Sequence, residues 1–188
     1  KIRTTIDFCR MTVLGDISCK KAVIKDTEVD LRATVFFTKK SIFLGASIEA
    51  EVMKIKANGT LQIGVNNNFS TAPPSVQSYK GLLPDFMITN NTLSGVYVGV
   101  HASKSASTNG RFGIWKFNFC TYAHEASFLG KVHLGYNYSN SNLMATIQLK
   151  GNIESKIAVS KYRLNGEANL NLALTGGYSG AKGWYASG

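Results

Sequence analysis

The 188-residue chain has little of several things. Proline occurs three times and cysteine three times, and only 17% of residues are charged. Scarce proline excludes collagen-like and proline-rich repeats. Low charge excludes long disorder, a coiled coil or a solvated helical bundle, which need more. No apolar run approaches the ~18 residues of a membrane-spanning helix. No stretch carries a 3.6-residue apolar period. Phosphate loops, dinucleotide fingerprints, nucleophile elbows and paired zinc histidines are all missing.

Acids are few as well, 11 against 21 Lys and Arg, for a net charge of +10. Glu49 and Glu51 share a strand face, as do Asp26, Glu28 and Asp30, but lysines or solvent flank them. Neither set has the facing carboxylates of a glycosidase or the loop of a calcium site. Cys120, His124 and His133 have no recognised zinc spacing and lack a fourth ligand. His101 falls opposite an apolar face and is expected to be exposed. The expectation is a protein that is not an enzyme, with no cofactor and no metal. The positive charge is mostly Lys, spread along the chain without long runs. It therefore reads first as a solubilising surface and second as a contact for anionic lipid or nucleic acid.

What is present is alternation. Val29, Leu31, Ala33, Val35 and Phe37 share one strand face, and so do Ile48, Ala50 and Val52. Leu61–Val65, Val96–Ala102, Ala145–Leu149 and Leu170–Leu174 repeat the pattern. These are signatures of half-buried strands. Ten or eleven of them predict an all-β fold, as a single domain over 1–188, or a fragment of a longer chain. The expected architecture is an antiparallel β-sandwich of jelly-roll or immunoglobulin-like type, with a closed β-barrel as the alternative. The apolar faces are expected to form its core, with Trp115, Phe117 and Phe119 within it.

Register arguments place three-residue hairpin loops at Asn58-Gly59-Thr60 and after Leu164 at Asn165-Gly166-Glu167, because these pair apolar with apolar residues. Two hairpins of one design, with Ile42–Gly45 resembling Ser127–Gly130, hint at internal duplication. Phase slips after Val52 and Val159 predict bulges or sharp bends. Asn66–Leu83 and Ser103–Gly110 read as polar loops. The strand near Lys1–Phe8 and the tail around Trp184 are candidate edges for self-association.

Four Asn-x-Ser/Thr sequons, at Asn58, Asn68, Asn90 and Asn137, mark glycosylation candidates. Cys9 and Cys19 flank a turn-like Val13–Asp16 segment and suggest a bridge, with Cys120 as an alternative partner. The chain begins at Lys1 without a signal sequence. Together these point to a mature secreted or extracellular-surface protein. Tyr136, Tyr138, Tyr178, Trp184 and Tyr185 lie among small polar residues and suit sugar stacking or lipid-headgroup contact. Three functions follow. The first is a secreted or surface module for adhesion, glycan binding or extracellular or viral structural assembly, with a glycan or protein partner. The second is a membrane-active or lipid-binding β protein. The third is a coat protein that contacts nucleic acid.

Overall fold

The computed structural model describes all residues except 9–10, 25–26, 53–54, 115–116, 160–161 and 182, and the side chains of 24, 52, 111–114 and 117–119. It is all-β, as the alternation predicts. The strands are β1 (Ile2–Asp7), β2 (Thr12–Ile24), β3 (Thr27–Phe37), β4 (Ile42–Val52) and β5 (Ile55–Asn68). After an insert come β6 (Ile88–Thr89), β7 (Thr92–Ile114), β8 (Phe117–Asn137), β9 (Asn142–Val159), β10 (Tyr162–Ser179) and β11 (Gly183–Ser187). All belong to one sheet in the order β1-β2-β3-β4-β5-β7-β8-β9-β10-β11, with β6 beside β7. Every neighbouring pair is antiparallel, so the chain is an up-and-down meander. Among the described strands, β1 and β11 each have a neighbour on one side only.

The two ends of the sheet differ. At one end β2/β3, β4/β5, β7/β8 and β9/β10 are separated by two residues each. The opposite end carries the longer connections, including the insert between β5 and β6. That insert holds the only α-turn among the described residues, α1 (Pro74–Gln77), and two 3-10 turns. Proline at the first helical turn starts α1, because its missing N–H is not needed there. A shift in the pairing register with β7 between Gly64 and Asn67, with Asn66 at φ 50°, bulges β5 just before the insert.

Several local readings change. Asn58-Gly59 and Asn165-Gly166 lie inside β5 and β10 rather than in loops, with Asn58 paired to Glu49 and Asn165 to Lys156. The apolar match that suggested a tight local hairpin is met by other strands instead. Reversal occurs at the phase slips themselves, where Val52 pairs with Ile55 and Val159 with Tyr162. The Val13–Asp16 segment is continuous strand in β2, and the polar stretch 103–110 is strand in β7. The expected turn and loop compositions yield because these residues join long cross-strand ladders, with partner strands on both sides at 13–16 and at Asn58 and on one side at 105–110 and 165–166. Trp115 lies outside the described residues, as do the side chains of Phe117 and Phe119.

The packed core forms where the insert lies on the sheet. Phe43, Val76, Met87 and Leu93 are wholly buried, with Phe69, Tyr79 and Tyr97 almost so. Phe43 meets Tyr79 edge-on at 5.4 Å and Phe69 at 6.3 Å. Gly45 makes room for this cluster, since a Cβ there would sit 2.8 Å from the Phe43 ring and 2.9 Å from Tyr79. Polar side chains seal the contact. Gln62 Nε2 donates to the Tyr79 carbonyl at 3.0 Å, and the Tyr79 hydroxyl donates to the Gly45 carbonyl at 3.2 Å. Arg32 donates to Ser78 Oγ (2.5 Å) and the Ser75 carbonyl (2.7 Å), with its guanidinium 4.9 Å from the Tyr79 ring centre. Asp16, 3.6 Å from Arg32 Nε, also accepts from Thr34 Oγ1.

Candidate functional surface

The core lies on the face opposite the one that hydropathy selects. Thr34, Phe36, Phe43, Gln62 and Tyr97 point toward the insert. Their neighbours in sequence, which form the regular apolar alternation, point the other way and, apart from buried Val29, are half-buried or exposed. The pairing registers set these side chains in continuous rows across the sheet. One row runs Leu31, Ile48, Gly59, Val100, Val132, Ile147, Leu174. A second runs Ala33, Ala46, Leu61, Val98, Leu134, Ala145. Exposure reaches 52% at Val100 and 50% at Leu134. Within the paired registers of the described residues, Lys104 is the only Asp, Glu, Lys or Arg on this face; the others with paired positions fall on the insert side.

The area exposed is large. The molecule presents 13045 Å² of accessible surface. A compact monomer of 20.4 kDa would present about 8,800 Å². Contiguous apolar patches on ordinary soluble monomers stop at roughly 300–600 Å².

Four of the five aromatic candidates border this face. Tyr136, Leu143, Tyr178 and Trp184 are successive cross-strand partners in one row, toward the end with the longer connections. The Tyr136 and Tyr138 rings meet at 5.3 Å, and Tyr178 and Trp184 at 5.5 Å, both edge-on. Trp184 is 77% exposed. Tyr185 is set apart: it pairs with Gly177 and takes the opposite parity to Trp184. At the other end, Thr108, His124, Ser155 and Gly166 form a polar row, with Ser155 Oγ 2.8 Å from His124 Nδ1.

The insert-side face is polar where the insert leaves it open. A cleft of about 710 Å³ is lined by Arg32, Glu49, Asn58, His101, Lys131 and His133, with Leu82–Pro84 at its rim. The Tyr97 hydroxyl and His133 Nδ1 are 2.5 Å apart, and the His101 and His133 rings are 6.1 Å apart. His101 is half-buried in this cleft rather than exposed. Cys120, His124 and His133 do not come together, because His124 and His133 take opposite faces of β8.

The sequons scatter. Asn58 is exposed on the polar face of β5, and Asn68 and Asn90 are exposed beside the insert. Asn137 is 1% exposed; its Nδ2 donates to the Phe86 carbonyl and its Oδ1 accepts from Ser139 N–H. A glycan on its Nδ2 would have no room in so buried a position. Cys19 and Cys120 are free thiols, so no disulfide joins the described cysteines. Cys19, on the uncovered face of β2, is thus unbridged, and Cys9, its expected partner, lies outside the described residues.

Sequence reasoning missed Lys104 by assigning 103–110 to a loop. The signal was available: Ala102, Lys104 and Ala106 continue the period-2 phase of Val96–Ala102. No family model matches this chain, and neither does any curated protein or solved structure.

Proposed function

We propose that this protein is a non-enzymatic, membrane-embedded β-sheet, whose apolar face meets lipid and whose polar face, partly filled by the insert, lines an interior. The observation that carries this reading is the division of charge: among the described residues with paired positions, one face of an eleven-stranded meander bears a single formally charged side chain. A protein in water has no reason to sort charge so completely while leaving the apolar face bare. In lipid the sorting is required, since charge facing hydrocarbon costs ~2–4 kcal/mol near mid-bilayer.

Dimensions support it. Eight residues separate Tyr136 from Phe128 along β8, about 26 Å at ~3.3 Å per residue. A strand tilt of ~40° reduces this to about 20 Å across the bilayer, near the ~25 Å apolar band of spanning sheets. Tyr136, Tyr178 and Trp184 then lie at one headgroup level, where amphipathic rings are favoured. No helix among the described residues is long and apolar enough to cross a membrane, so spanning rests on the strands. Lipid also demands that backbone edges be paired. Pairing at β1 and β11, the edges expected to self-associate, belongs to the same reading.

We favour this over the adhesion or glycan-binding module because sugar stacking uses only the aromatic row and leaves the other apolar rows exposed. The test is refolding into phosphatidylcholine vesicles, followed by flotation and alkaline wash. Vesicle-bound, wash-resistant, protease-protected sheet is expected. A monodisperse protein that stays in the aqueous fraction would overturn it.

A further inference from the structure

Among the described residues with paired positions, Lys104 is the one charge on the apolar face, and its surroundings form a site. It lies in a row with Ile55, Phe128, Gly151 and Leu170. Gly151 has no side chain between Phe128 and Leu170, and a Cβ there would meet nothing closer than 3.8 Å. The gap is part of an apolar groove of about 540 Å³ that also takes in Ile153 and Ala168, with Lys104 as its charged member. Lys104 is exposed, and no acidic side chain pairs with it among the described residues.

Its level in the sheet is informative. Ile55 is the first residue of β5 and pairs with Val52, the last of β4. Lys104 therefore sits level with that hairpin's reversal, about 20 Å in depth from the aromatic row by the same strand arithmetic, while β7 runs on to Ile114. Two rows further on, the face turns polar at Thr108 and His124. A cation at such a rim meets headgroups, while its aliphatic stem lies along apolar surface.

Resting on the membrane reading above, we propose that Lys104 and the Phe128–Gly151–Leu170 groove bind an anionic phospholipid. The ammonium takes the phosphodiester headgroup and the groove takes the first part of an acyl chain. Charge complementarity selects this occupant: a zwitterionic lipid gains the groove but carries no net charge for Lys104 to neutralise.

The probe is spin-labelled phosphatidylglycerol, compared with spin-labelled phosphatidylcholine, around the protein refolded in phosphatidylcholine bilayers. Electron paramagnetic resonance reads the immobilised fraction of each. One lysine at a membrane surface supports about a fivefold preference for the anionic label, declining with added salt. Lys104→Gln should abolish the preference and Lys104→Arg should keep it. Lys150→Gln, which removes a charge from the polar face of β9, should leave it intact. Equal association of both labels with the wild type, or preference persisting in Lys104→Gln, would overturn the proposal. Insertion is scored separately by flotation. Failure to insert into phosphatidylcholine rejects the membrane reading and this site with it; insertion without lipid preference rejects this site alone.

Discussion

The two faces of the sheet are built from the same strands and meet opposite fates. On one, Thr34, Gln62 and Asn67 are fully buried although polar. On the other, Val100, Val132 and Leu134 stay half-exposed although apolar. The difference is the insert between β5 and β6. It supplies Phe69, Val76, Tyr79 and Met87 to cover one face, whereas on the other only Val29 is buried among the described apolar side chains. Burial here follows the covering segment, not hydropathy. The buried polar groups are tolerated where they are bonded, as Gln62 is to the Tyr79 carbonyl and Thr34 to Asp16.

The comparison can be broken most severely from the covered side. Phe43→Ala empties the middle of the only packed core among the described residues and should cost about 3–5 kcal/mol. Denaturant melting would register it, and an effect below 1 kcal/mol would mean the insert does not pack as described. The uncovered face should respond to charge rather than volume. Val132→Arg should lose about 2–4 kcal/mol of folding stability in a bilayer, while costing little in detergent-free water. Equal costs in both media would remove the distinction between the faces. Arg32→Ala should act on the insert alone. Losing its bonds to Ser75 and Ser78 and its contact with Tyr79 should cost about 1.5–3 kcal/mol. Amide exchange should quicken over 69–87 and remain slow in β8 and β9. The smallest effect belongs to Asn58→Thr, exposed within β5. Replacing a supposed loop residue by a strand former should change stability by less than about 0.5 kcal/mol, and a large loss would restore the tight loop at 58–60.

Much of this was legible residue by residue. Period-2 runs such as Val96–Ala102 and Leu170–Leu174 mark strands because successive side chains alternate between faces. The slips after Val52 and Val159 mark reversals for the same reason. Asn58-Gly59 misled because Asn-Gly favours a turn only when no longer ladder competes; here Asn58 pairs on both sides, with Glu49 and His101. Lys104 was hidden by its polar neighbours Ser103, Ser105 and Ser107, which occupy the other face.

The aromatic candidates show where single-strand reading stops. Tyr136, Tyr178 and Trp184 could be selected as amphipathic rings near glycines. Only cross-strand register sets them in one line and separates Tyr185 from Trp184. By itself the sequence determined that the chain forms antiparallel strands with one apolar and one polar face, since that is a property of local alternation. Which face is covered, where the long ladders override turn chemistry, and that Lys104 is the one charge on the apolar face among the described paired residues were decided only by tertiary structure. These depend on contacts between residues far apart in the chain, and on which segment happens to reach across the sheet.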